Sequence, residues 1–272
     1  MNAATIDSPF TTQPAQASPA LPVLAVPPAY HGVWARTLLE TPEGRDTTTW
    51  VRWVQTSRWH GDLRVPPSAD RRNAEGLALQ QGFGGVTEVA RAAPLQPEVC
   101  TWHREIDLQP PRPTPDAGHM TFQTPDRVIE TGVHGRYLEV WERLPGSLGR
   151  RIALARRDAE GRPGSERLLL CGHYLMHLRP RASAWPADLR TEDTLSDLVQ
   201  RHPEQATALL DFVIAFGALD DRTGEWHIER ASVPELEGRR WPVRLERLGM
   251  DLATVVPDGP LGGAWEVLEW AD

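Results

Sequence analysis

Along Trp102 to Leu108 the alternation of an extended chain sends His103, Glu105 and Asp107 to one face and Trp102, Arg104 and Ile106 to the other. A carboxylate beside an imidazole can orient it and raise its basicity, and a poorly solvated carboxylate can itself act as acid or base near neutral pH. His103, Glu105 and Asp107 are therefore the candidate catalytic residues. Residues two apart on a strand stand about 7 Å from each other, so a tight site needs partners from neighbouring strands. His119, His134, Tyr137, Glu139 and Trp141 follow closely, and the last three share one face of a predicted strand. Pointing into a β-structure, the acid and imidazole face is a site. Pointing out, it is a solvated surface with cross-strand charge pairs.

Trp carries most of the aromatic content, eleven residues against five Phe and three Tyr. Trp34, Trp50, Trp53, Trp59, Trp102 and Trp141 precede Leu144, in the half that holds the polar strand faces. They could line a pocket for a planar or apolar molecule, with indole N–H groups as donors, or simply fill the core. Arg64, between Leu63 and Val65, is suited to hold a ligand carboxylate. The ligand-binding candidates are thus Trp53, Arg64, Trp102, His103, His119, His134, Tyr137, Glu139 and Trp141.

Several chemistries are excluded. The chain has no Lys, so Schiff-base and lysine-nucleophile mechanisms lack their side chain. A net charge of −8, with basic residues grouped no more densely than Arg71-Arg72, Arg150-Arg151 and Arg239-Arg240, argues against a nucleic-acid partner. No metal is predicted: His173 and His177 are four apart within an expected strand, which separates them by about 13 Å. No cofactor is identified. Gly82-Phe83-Gly84-Gly85 and Gly259-Pro260-Leu261-Gly262-Gly263 lack the Lys and spacing of a phosphate loop and read as turns. Cys100 reads as a buried apolar group, and Cys100 with Cys171 matches no metal or redox spacing.

The elements that would position these residues are mostly short strands. Residues 1 to 28, rich in Ala and Pro with Asp7 as their one charge, read as a disordered leader. Gly32 to Glu40 and Asp46 to Thr56 form a hairpin about Pro42-Glu43-Gly44, and Trp59 to Val65 is a further strand. Arg71 to Gln81 reads as a short helix ended by Gly82. Strands follow at Val86 to Ala92, Glu98 to Gln109, His119 to Thr124, Arg127 to Val133 and Arg136 to Leu144. Beyond Pro145-Gly146 come Arg151 to Arg157 and Glu166 to Arg179, then short helices across Pro203 behind a Thr194 cap. A hairpin of Phe212 to Leu219 with Glu225 to Val233 comes next, then a long loop from Trp241 to Gly263 and a last strand, Ala264 to Trp270. With no βαβ rhythm, the pattern predicts a mainly β fold, an antiparallel barrel or sandwich. No run approaches the ~20 apolar residues that span a bilayer, which predicts no membrane partner and a cytoplasmic location.

The order of segments 59–66 (WHGDLRVP), 101–104 (TWHR), 130–132 (ETG), 137–141 (YLEVW), 212–217 (FVIAFG) and 265–270 (WEVLEW) resembles a group of bacterial lipocalin-like (calycin) proteins and, more distantly, a fungal two-barrel family noticed as a casein kinase partner. The resemblance spans most of residues 30 to 272. It implies lipocalin-like β-barrels, two in tandem or one enlarged: a first barrel over residues 29–145, and a second barrel or barrel-completing half over 146–272 with a helical insert at 194–210. It supplies no catalytic residues. The function expected is binding of a small apolar or aromatic molecule. The alternatives are an acid–base enzyme built on the His/carboxylate pair, cofactor-independent or metal-assisted, and a module that engages a protein partner.

Overall fold

The structure is a computed structural model and describes residues 25–67, 69–91, 96–256 and 259–272. Nine strands build a first sheet: β1 (Gly32–Thr41), β2 (Gly44–Asp46), β3 (Trp50–Gln55), β4 (Trp59–Val65), β5 (Gln81–Arg91), β6 (Glu98–Asp107), β7 (Asp116–Thr124), β8 (Arg127–Gly132) and β9 (Leu138–Arg143). Apart from β2, a short flap on β1, they pair antiparallel in chain order. β9 returns to β1, Arg36 facing Trp141, so eight strands close into a barrel.

The second sheet holds β10 (Arg151–Arg157), β11 (Pro163–Cys171), β12 (Tyr174–Arg179), β13 (Val213–Asp220), β14 (Glu225–Ala231), β15 (Arg240–Pro242), β16 (Arg244–Arg247), β17 (Leu252–Val256) and β18 (Gly263–Ala271). Its order is β15-β14-β13-β12-β11-β10-β18-β17-β16, so β15 and β16, successive in sequence, lie at opposite edges and leave a curled half-barrel. The helices are short: α1 (Ala74–Ala78), α2 (Leu195–Arg201) and α3 (Ala206–Leu209). None is long and apolar enough to cross a membrane. The fold is mainly β and barrel-like, as the strand pattern predicts.

Pleat alternation explains why the strands near the N-terminus show no clean apolar face. On β4, His60, Asp62 and Arg64 point into the barrel, and Leu63 and Val65 point out, yet all but Arg64 are buried. The outward set packs on the second sheet: Val33, Val54, Leu63 and Ile106 share a core with Ala153, Leu169, Met176, Leu178 and Phe216. The opposite face of that sheet, with Leu154, Leu168, Leu170, Trp226 and Trp265, encloses a separate apolar core. Strands such as Leu168–Cys171 are therefore apolar on both faces.

Close packing of the two sheets needs glycine. A Cβ on Gly61 would stand 2.6 Å from Met176 Sδ, and one on Gly84 2.6 Å from Leu178 Cδ2. Gly82-Phe83-Gly84-Gly85 is accordingly not a turn but the first part of β5. It also displaces the expected helix: only Ala74–Ala78 is helical, capped by Asn73, whose side chain accepts from Gly76 N at 2.8 Å. Glu166 to Arg179 is two strands, reversing at Gly172, where φ is +55° and a Cβ would meet Gly146 O at 2.0 Å. The expected loop from Trp241 to Gly263 contains β15, β16 and β17. Of the expected disordered leader, residues 1–24 lie outside the described residues. Residues 25–28 are ordered, because Val26 is 3% exposed in the barrel core and its N–H donates to Ser57 O at 2.7 Å.

Leu178→Ala should lower the unfolding free energy by roughly 2–5 kcal/mol, and Gly84→Val by roughly 1–3 kcal/mol, both read by urea denaturation. Unchanged midpoints would show that the two sheets do not support each other at this contact.

Candidate functional site

A bulge in β6 divides the three candidate catalytic residues. Gly85 pairs with Arg104 and Gly84 with Ile106, which leaves Glu105 as the extra residue. Up to the bulge, Cys100, Trp102 and Arg104 face the barrel interior and His103 faces out; beyond it the parity reverses. Ile106 turns outward to the second sheet, and Asp107, opposite the interior Phe83, turns back to the side of Arg104. His103 and Glu105 lie outside the barrel, with side chains 49% and 43% exposed, paired with Glu88 at 3.0 Å and Arg167 at 3.2 Å. They border an open groove of about 690 Å3. Exposed pairs of this kind contribute about 0–1 kcal/mol, and the expected His/carboxylate acid–base face does not exist inside the barrel.

A different polar group does. Antiparallel strands bring the ends of β4, β6 and β8 and the starts of β7 and β9 to one mouth. There Arg64, Arg104 and Arg36 meet Asp116, Glu139 and Glu130 around a cavity of about 350 Å3, with Asp62 just beneath it. Arg36 donates to Glu139 at 2.6 Å and to Asp46 at 3.2 Å. Arg64 Nε donates to Asp62 at 2.8 Å, and its terminal nitrogen stands 3.8 Å from Glu139. Arg104 donates to Asp107 at 2.9 Å and to Asp116 at 2.5 Å, with its guanidinium 3.5 Å from the centre of the Phe83 ring. Arg112, on the proline-rich segment between β6 and β7, borders the cavity and forms no hydrogen bond or ion pair among the described residues.

Below this layer the barrel is full. Trp53 stacks on Trp34 at 6.1 Å and meets Trp102 and Trp141 edge-on at 5.5 and 5.7 Å. The space left between the indoles and the charged layer is about 10 Å3, no more than one water. Val26 and Tyr30 are buried in the same interior core. Among the ligand-binding candidates, Arg64, Tyr137 and Glu139 border the cavity, and Trp53, Trp102 and Trp141 form its floor as packed core rather than an aromatic pocket. His103 points outward. His119, between the inward residues Gly118 and Met120, faces away from the interior, and His134 lies in the turn before β9; neither borders the cavity.

Glu130 differs from the other interior acids. It is 3% exposed, and no Arg pairs with it among the described residues. Its partners are neutral donors: Tyr137 Oη at 2.6 Å and Trp141 Nε1 at 3.0 Å. Room for them is made by two glycines that face each other across β7 and β8. A Cβ on Gly118 would meet Glu130 Cγ at 2.5 Å, and one on Gly132 would meet Gly135 O at 2.3 Å and then the Tyr137 ring at 2.5 Å. Burial first, then the neighbouring Glu139, push the Glu130 carboxyl well above the usual carboxylate range, against the pull of the Tyr137 hydroxyl. Burial, then Glu130 itself, raises the Tyr137 phenol. Asp62 is raised by burial despite Arg64. For Asp116, Arg104 and Arg64 outweigh burial and hold the carboxyl low. His60, at the lower end, is brought down to about 3 by burial and stays neutral.

Arg36, Asp62, Arg104, Asp116 and Glu130 complete the site but are absent from the residues singled out by type. A usable signal was the shared parity of charge and indole on one strand: Trp34 with Arg36, Trp102 with Arg104, Glu139 with Trp141. Among the described residues no group of His, Cys, Asp and Glu could hold a metal ion. No family model, curated protein or solved structure matches the chain.

Two measurements follow from this geometry. Gly118→Ala should cost roughly 1–3 kcal/mol in the native background and far less beside Glu130→Ala, because the new methyl group collides with the Glu130 side chain; additive losses would exclude that contact. The folded chain also holds the Glu130 proton to higher pH than the unfolded chain, whose carboxyl titrates near ~4.3. Stability from this group is complete below that pH and is lost as pH rises toward the folded-state value. Tyr137, Glu139, Asp116 and Arg64 all face it and shape the titration. Urea unfolding from pH 4 to 8 should therefore show the native protein losing stability relative to Glu130→Gln as pH rises, whereas parallel curves would mean an ordinary carboxylate.

Proposed function

We propose that the first barrel is a lipocalin-like receptor for a small polar organic acid, in a cytoplasmic protein. The observation that carries this reading is the outer end of Arg64, which borders the cavity. Among the described residues its hydrogen bond runs from Nε to Asp62 and Glu139 stands beyond hydrogen-bond distance at 3.8 Å, so its terminal nitrogens keep donors for a ligand in the cavity, and the fork of a guanidinium suits a carboxylate. Arg112 at the rim, with no hydrogen bond or ion pair among the described residues, adds a second cation for the same anion. One oxygen each of Glu139 and Asp116 accepts from arginine, leaving the other for an ammonium or hydroxyl group of the ligand. The ligand class is thus a small acid that also carries a polar donor, such as a hydroxy or amino acid.

This moves the expected ligand from apolar or aromatic to polar. The indoles that could have held a ring hold one another, and a volume of about 350 Å3 walled by arginine and carboxylate rewards hydrogen bonding over apolar area. Preorganised charge supports the same reading, since buried ion pairs are a poor source of stability compared with apolar packing.

Isothermal titration calorimetry with a set of small 2-hydroxy, 2-amino and 2-oxo acids tests it. At least one should bind, and Arg64→Gln should weaken it by on the order of ten- to a hundredfold, the loss of a charge-assisted hydrogen bond worth about 1.5–3 kcal/mol. Equal affinity in the variant would reject Arg64 as the anchor.

A further inference from the structure

We propose that the Glu130–Tyr137 pair is a proton-transfer centre, and that the barrel cavity catalyses the interconversion of the enol and keto forms of a 2-oxo acid held by Arg64. The inference rests on the receptor reading above. Three features lead to it. Among the interior carboxyl groups, Glu130 is hydrogen-bonded by neutral donors rather than by a guanidinium, so its proton is not held off by a paired cation. Gly118 gives up a side chain in mid-sheet at the spot that Glu130 occupies, a costly choice within a strand unless the group admitted has work to do. Glu130 and Tyr137 both border the cavity that also holds Arg64.

The geometry selects the reaction. Glu130 Oε1 and Tyr137 Oη are 2.6 Å apart, close to the spacing between the terminal carbon and the hydroxyl oxygen of an enol, which are separated by one atom. With the substrate carboxylate on Arg64, the Glu130 carboxyl gives its proton to the enol carbon. The C=C electron pair forms the new C–H bond, and the electrons of the breaking O–H bond become the carbonyl π pair. The released hydroxyl proton passes to Tyr137 Oη while the Tyr137 proton passes to Glu130 Oε1. Both residues end in their starting state, and the substrate has only moved a proton from oxygen to carbon. Burial and Glu139 favour the protonated carboxyl, the form that starts this direction.

The test follows ketonisation of the enol forms of oxaloacetate and phenylpyruvate by ultraviolet absorbance, with binding of the same acids measured calorimetrically. The native protein should accelerate ketonisation and, in deuterated water, deliver deuterium to one face of the enol carbon. Glu130→Gln should lower the rate by on the order of a hundredfold or more while still binding the acids, and Tyr137→Phe should lower it without loss of binding. Binding without acceleration, or an undiminished rate in Glu130→Gln, overturns the proton-transfer centre and leaves the receptor standing. Absence of binding by every acid overturns both.

Discussion

Arg64 sits between Asp62 and Glu139 at the polar mouth of a closed barrel, and the rest of the first sheet is arranged around the cost of keeping charge there. Buried ions are tolerated only when paired and hydrogen-bonded. The barrel meets that demand by collecting its charges from several strands at one mouth, so that each guanidinium finds a carboxylate: Arg36 with Glu139 and Arg104 with Asp116 across neighbouring strands, and Arg64 with Asp62 along β4 itself. The Trp53 cluster beneath keeps the layer shallow. It fills the lower barrel with indole and leaves the polar layer as the part of the interior with usable volume.

Glu130 is the departure from that rule. Its neighbours are a phenol, an indole and another acid, and the sheet accommodates it by omitting a side chain at Gly118. Such surroundings favour the neutral carboxyl, the form that can donate a proton.

The second sheet plays a different part. Its one face completes the burial of β1, β3 and β4, and its other face closes over a core rich in Leu and Trp. The first barrel can therefore spend the inward positions of β4 on His60, Asp62 and Arg64, because apolar burial is supplied from outside. Gly61 and Gly84 let the two sheets approach closely enough for that division of labour.

Strand parity was legible along most of the chain: Trp59–Val65, the two hairpin partners β13 and β14, and the capped helix after Thr194 follow from turn residues, β-branched runs and a capping box. So was the presence of a polar constellation between Cys100 and Trp141. Where it points was not. Parity along β6 alone sets His103, Glu105 and Asp107 together, and only the bulge against Gly84 and Gly85 separates them, turning Asp107 to Arg104 and leaving His103 and Glu105 outside. A bulge depends on the partner strand, which local sequence does not specify. Likewise Glu130 becomes unusual only through Tyr137, Trp141 and Glu139 around it. The sequence by itself determined the alternation along most strands and the absence of lysine chemistry. Tertiary structure decided which face is interior and which carboxyl lacks a cation, because burial and pairing arise between strands and not along them.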